Sequence, residues 1–411
     1  MTPSASTPRP RIFYGWFVVA GAFAVTFVGF GCAYTFSAFL PSLQRDFAAS
    51  RGSISLVFSL AGFLYFALGA VSGPLADKWG ARPFAVVGMV LTGLGLALAS
   101  VARSLNEVYA AYGLGVGLGI GFSYVPVLGV LQRWFVRRRG FASGIGVSGI
   151  GVGTLVMPPV AAFLIDAYGW RETYLILGVL AAVIGIGLSL LIEDDPRRRG
   201  TGPDGDPLRP PAPAVASGRV PMLDAIKSRR FVGLFLSCLI SAFAVFVPFV
   251  HLVPNALDDG VPQSAAVMLM GSIGVGSTAG RFFLGALADR VGRPLSLAIM
   301  VVGMAAAYVI WLLAGSFWPL AAFALLFGLF YGGWVALLPA VVADYFGAAN
   351  VGGMIGLISL SIALGTLVGP SAAGFAFDIN HSYTLPIVAG IAANVIAAVI
   401  LAATAKGSRP R

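Results

Sequence analysis

Twelve stretches of about 20 apolar residues follow one another from Tyr14 to Ala405, and no other feature limits the fold of this chain so strongly. Their limits fall near 14–39, 53–75, 83–102, 107–131, 141–165 and 170–192, then 230–255, 264–286, 295–314, 317–343, 351–376 and 383–405. In hydrocarbon a backbone must satisfy its own N–H and C=O groups, which an isolated strand cannot do. The expected fold is therefore an all-α membrane protein with twelve transmembrane helices. Only 10% of the residues are charged, against about a quarter in a soluble domain, and 58% are hydrophobic. The polar N-terminal decapeptide runs directly into segment 1 and reads as retained rather than cleaved. Cys32 and Cys238 fall inside segments and read as small packing residues, with no disulfide or metal role.

A net charge of +10 invites a nucleic-acid reading, but the placement of the charges gives a different one. With the N-terminus in the cytoplasm, 21 Lys and Arg lie in cytoplasmic segments and only Arg45, Arg51, Arg103 and Arg171 in outer loops; Arg281 completes the 26. That bias places both termini inside a plasma membrane, and the bilayer is the partner it implies. No nucleic-acid partner follows.

Between residues 193 and 229 the apolar pattern gives way to EDDPRRRGTGPDGDPLRPPAPAVASGRV, a solvated cytoplasmic linker. It separates a six-helix bundle at 1–192 from a second at 230–411. The halves repeat: GPLADKWGARP at 73–83 returns as GALADRVGRP at 285–294, with Asp77 and Asp289 separated by 212 residues (289 − 77). The same offset relates Gly153-Thr154-Leu155 to Gly365-Thr366-Leu367, Pro158 to Pro370 and Asp166 to Asp378. Two pseudo-symmetric six-helix bundles point to a transporter with its site near the midplane.

Segment 8 carries a cation. Arg281 lies eight residues before Asp289, roughly 12 Å along a helix, and a guanidinium at such depth costs about 2.5–3.5 kcal/mol. It should face a bundle interior or wet cavity and hold an anion. The alternative is structural: Arg281 snorkels to the surface or pairs with Asp289.

The loop Gly73-x-Leu75-x-Asp77-x-x-Gly80-x-Arg82, partly copied after segment 8, resembles the inner-loop signature of the major facilitator superfamily. Asp77, Arg82, Asp289 and Arg293 are the corresponding candidates for a conformational latch between the bundles. RIFYGWFVVAGAF before segment 1 and RWFVRRRGFASGIGVSGIGVG before segment 5 resemble the two signatures of monocarboxylate transporters and their bacterial relatives, including the oxalate:formate antiporter. Within the second, Gly140/Gly144 and Gly149/Gly153 also have the small-xxx-small spacing of close helix packing. The resemblance implies that Arg281 binds a substrate carboxylate, and a bacterial inner-membrane location. Three family features are missing. Tyr34 or a neighbour stands where animal members have a Lys in segment 1, Ser277 replaces an Asp four residues before the Arg, and segment 11 lacks the second cation of the oxalate exchanger.

One cation suits one carboxylate, because the second charge of a dicarboxylate would stay unpaired at low dielectric. Tyr34, Tyr124 and Tyr331, with Ser277 and Ser361, are candidates for orienting it. All sixteen Asp and Glu fall in loops or at helix ends, so His251 in segment 7 is the titratable candidate for proton coupling. Straight-helix counting puts it well above Arg281, and the two can meet only if Pro248 or Pro254 breaks the helix. No catalytic cluster, metal spacing, nucleotide loop or cofactor motif is present. The expected function is non-enzymatic: proton-coupled symport of a lactate-like monocarboxylate, for which a monomer suffices. Its rivals are carboxylate exchange without protons and a non-transporting sensor or scaffold.

Overall fold

The structure, a computed structural model, describes residues 13–208, 222–346 and 351–405. Twelve helical spans cross it. In the first half they are α1 (Gly15–Phe47), α2 (Arg51–Ala67 continued by Gly69–Trp79), α3 (Ala81–Ser100), α4 (Leu105–Trp134), α5 (Arg139–Tyr168) and α6 (Trp170–Ser189). In the second they are α7 (Arg229–Asp258), α8 (Gln263–Val291), α9 (Arg293–Leu313), α10 (Phe317–Phe346), α11 (Val351–Asn380) and α12 (Thr384–Ala405). The elements match the expected segments, with one extension. α1 runs on to Phe47, because after a break at Thr35 its chain continues as an amphipathic helix, Phe36–Phe47, that ends in polar residues.

The repeat is visible in the backbone. Ala48, Gly80 and Gly169 have positive φ, and so do Gly260, Gly292 and His381, their counterparts 212 residues on. The break in α1 at Thr35 has its counterpart in α7, where one helix ends at Val245 and the next begins at Pro248. Pro248 has no N–H to donate, so the ladder is interrupted there at no further loss.

Within each half the packing repeats as well: α1 on α5 and α7 on α11, α2 on α4 and α8 on α10. The halves meet along α2 with α11 and α5 with α8, and through the outer part of α1 against that of α7. Gly149 and Gly153 lie against the α1 backbone, where a Cβ on Gly153 would come 3.1 Å from the Gly31 Cα. Gly140 and Gly144 do not serve this purpose. A Cβ on Gly140 would meet nothing within 4 Å, and one on Gly144 only the edge of Phe282.

Candidate functional site

The two helix breaks place aromatic side chains where the halves meet. Tyr34 is the last residue before the break in α1, and Phe249 lies just beyond that in α7. Their rings stack across the halves at 4.3 Å, and the Tyr34 hydroxyl lies 3.2 Å from that of Tyr331 on α10. Phe30, one turn before Tyr34, meets Tyr34, Tyr65 and Tyr124 at centroid distances of 5.7, 5.6 and 5.0 Å.

Arg281 reaches this aromatic cluster, hereafter the chamber, from α8. It is 5% exposed, and its charge interacts with Tyr331, Tyr124 and Tyr34. Its position is set by a seam of glycines. A Cβ on Gly280 would come 2.9 Å from the Leu329 carbonyl carbon and the Gly333 nitrogen, and one on Gly332 would come 2.8 Å from Ser277 Cα. The α8 and α10 backbones therefore touch beside Arg281, which brings its guanidinium to Tyr331. Ser277, one turn earlier, accepts a hydrogen bond from Arg281 Nη1 at 2.7 Å. Nε and Nη2 have no protein partner among the described residues. These two nitrogens form one edge of the guanidinium, so a buried cation presents two parallel donors to the chamber. Neither a described carboxylate nor the lipid face takes up this cation. The Asp289 side chain, the alternative partner expected from the sequence, lies outside the described residues.

The signature of the Major Facilitator Superfamily matches residues 22–313 and 256–411. Monocarboxylate transporter 11 of Mus musculus is 35% identical over 388 residues, covering 92% of this chain and 84% of the relative. The Homo sapiens protein of the same name is 31% identical, covering 93% and 81%. The chain belongs to the monocarboxylate transporter family of the Major Facilitator Superfamily. Its fold is shared with a bacterial homolog to the human lysosomal transporter Spinster, in an inward-facing and unoccupied conformation, with a TM-score of 0.73 at 16% identity and 98% coverage of both chains. The relatives are transporters, not enzymes, and the chain is a multi-pass membrane protein and solute transporter.

The monocarboxylate transporter fold thus gathers Arg281, Ser277, Tyr34, Tyr124 and Tyr331 and leaves out three other groups. Ser361 is fully buried and donates to the Ile358 carbonyl of its own helix at 2.6 Å, and no described contact joins it to Arg281. His251 lies beyond the break at Pro248, yet the break does not carry it to Arg281. Its partners are Tyr383, Pro370 and Ser55, all near the far end, opposite the linker. Of the expected latch residues, three have described ties within a half: Asp77 accepts from Arg133 at 2.7 Å, Arg82 Nε donates to the Ile192 carbonyl, and Arg293 donates to Asp344 at 2.9 Å, while the Asp289 side chain lies outside the described residues. α2 and α4 end side by side, so the nearest cation to Asp77 belongs to its own bundle. Tyr65 is the residue that sequence reasoning missed. It is 1% exposed, its hydroxyl has no partner among the described residues, and it interacts electrostatically with Tyr331.

Proposed function

We propose that this transporter carries short monocarboxylates such as L-lactate or pyruvate by proton-coupled alternating access, in a plasma membrane with the linker on the cytoplasmic side. The observation that carries the reading is the free Nε–Nη2 edge of Arg281. Two parallel cationic donors match the two oxygens of a carboxylate, and burial strengthens both bonds. Lys, a point charge on a flexible stem, offers no such fork. The ring of Phe30, Phe249 and tyrosines suits a short apolar body, and the hydroxyls of Tyr34, Tyr65, Tyr124 and Tyr331 suit a 2-hydroxyl or 2-oxo oxygen. A second carboxylate would find no second cation there among the described residues. The names of the relatives support the same substrate class.

Uptake of an anion against a negative-inside potential requires a cation to travel with it, and His251 is the group we assign to the proton. Exchange without protons is the second reading. It is favoured by the absence of any described bond between Arg281 and His251 or an acid.

The test is counterflow of a panel of short carboxylic acids in proteoliposomes, with proton movement recorded in parallel. Arg281→Lys should reduce lactate counterflow by about tenfold or more, the scale of one lost charge-assisted bond of about 1.5–3 kcal/mol. Wild-type uptake by a folded Arg281→Lys protein would refute the anchor. Net lactate uptake into lactate-free proteoliposomes that carries protons would select symport, and counterflow without any such net uptake would select exchange.

A further inference from the structure

The richest cluster of titratable side chains outside the chamber ties the far ends of the halves together. Arg51 opens α2 in the first half, and what it grips belongs to the second. Its Nη1 and Nη2 donate to Asp258 at 2.6 and 2.7 Å, and Nη1 also donates to the Tyr383 hydroxyl at 2.9 Å. The backbone amides of Arg51 and Gly52 donate to the two oxygens of Asp378 at 3.0 and 2.9 Å. The guanidinium lies 4.0 Å above the Phe377 ring. His251, fully buried on α7, packs against this group. Its Nδ1 is 3.0 Å from the Tyr383 hydroxyl, and its Nε2 is 2.8 Å from the Pro370 carbonyl and 3.3 Å from Ser55 Oγ.

These partners fix where the protons sit. The Pro370 carbonyl can only accept, and Ser55 gives its own hydrogen to the Arg51 carbonyl at 2.6 Å, so Nε2 must carry a hydrogen. The Tyr383 oxygen accepts from Arg51, and in the neutral state of His251 the hydroxyl gives its hydrogen to Nδ1, which leaves both ring nitrogens bonded. The charges, however, do not balance: Arg51 faces both Asp258 and Asp378, so the cluster is one positive charge short. His381, the other histidine, lies edge-on to Phe377 at 6.4 Å, outside the bonds of His251 and Arg51, and the remaining charges on the surrounding elements have partners of their own. Arg45 donates to the Pro41 carbonyl, Asp46 accepts from Trp170 and Arg171, and Asp259 accepts from Asn255.

We propose that His251 and Arg51 form a proton-operated lock, in which a second proton on His251 opens the far end. The lock rests on the proton-coupled reading above for its purpose. The proton comes from the aqueous phase, forms the Nδ1–H bond and adds one unit of charge, and no other covalent bond changes. To admit it, Tyr383 must turn its hydrogen away from Nδ1, and no acceptor among the described residues receives it. The imidazolium attracts the Asp378 carboxylate, which can serve it only by leaving the amides of Arg51 and Gly52. Each adjustment loosens a tie between the halves. Closure reverses them and drives the proton off, so proton and substrate are coupled through the opening of the far end without His251 touching Arg281.

The experiment measures the far-end separation with spin labels at the exposed residues Asn106, in the first turn of α4, and Ser316, in the loop before α10, in lipid nanodiscs, from pH 8 to pH 5. In the wild-type protein the long-distance population should grow as pH falls, by up to tenfold per pH unit for one proton. His251→Gln, which keeps a donor and an acceptor, should stay short at both ends of the range. Arg51→Gln should be long throughout, and Arg51→Lys, which keeps the charge without the fork, should lie between. A pH-independent wild-type distance, or a His251→Gln protein that opens like wild type, overturns the lock. Lactate counterflow on the same samples separates the two ideas. A lock that works in a protein that carries no carboxylate refutes the proposed function alone, and uptake with unresponsive distances refutes the lock alone.

Discussion

At the scale of single residues, the chamber depends on how one guanidinium divides its donors. Ser277 takes Nη1 and leaves the opposite edge free, and because a hydroxyl is neutral the cation keeps its full charge. Ser277→Ala should raise the lactate KM by about three- to tenfold with folding intact, the effect of losing a bond of about 1 kcal/mol that holds the fork in place. Ser277→Asp should do more harm than Ser277→Ala, since an acid one turn away would pair with Arg281 and compete with the substrate. Concentration-dependent uptake by the two variants checks the order. Equal KM values for Ser277→Ala and wild type would mean that the seam of glycines alone aligns the guanidinium.

At the scale of elements, that seam makes a sharper statement. Gly280 and Gly332 have neighbouring backbone within 3 Å of where a Cβ would stand, so Gly332→Val should force α8 from α10 at a cost of about 1–3 kcal/mol and lower both thermal stability and uptake. Along α5 the expectation divides: Gly153→Val should destabilise in the same assay, while Gly140→Ala should be silent because its surroundings are open. The twelve spans and the repeat were legible in the sequence, because a membrane imposes length and apolarity on each helix and a duplicated half keeps its register. Arg281 was legible for a related reason, as a charge where charges are expensive. The rest was decided by direction around a helix axis and by which helices touch. Equal depth could not show that Ser361 bonds to its own helix or that Gly140 faces open space. Straight-helix counting did separate His251 from Arg281 but could not supply Tyr383, 132 residues away, as its partner. Nothing in the spacing of Tyr65 marks its hydroxyl as unpaired.

On the scale of the whole molecule, the named bonds between halves lie at the Tyr34–Tyr331 hydroxyl pair and at the far end, and the described ion pairs near the linker stay within a half. The far-end ties come in a symmetric pair of unequal strength. Gln263, the counterpart of Arg51 in the repeat, donates a single bond to Asp166, the counterpart of Asp378, at 3.2 Å. Gln263→Ala should therefore change far-end accessibility to a membrane-impermeant thiol reagent much less than Asp378→Asn. Toward the linker, Asp204 is partly desolvated, which alone would raise its pKa, but the amides of Arg137, Val136 and Arg138 outweigh this and hold it below the usual carboxylate range. A depressed folded-state value means that its hold on the 136–138 loop is complete above the ordinary carboxylate pKa and is lost as pH falls through the lowered one. At neutral pH, Asp204→Ala should speed amide exchange at residues 136–138, and wild-type exchange there should be constant from pH 8 to pH 5 after correction for the intrinsic rate. The duplication also leaves an asymmetry, since the position that is Arg281 in the second half is Gly69 in the first, at the 43° bend of α2. Under the proposed function a polar guest therefore enters with only one heading, its charged head toward the second half and its tail toward the first. Size preference then becomes a property of the head-free copy, adjustable at Phe30 or Tyr65 without touching the anchor.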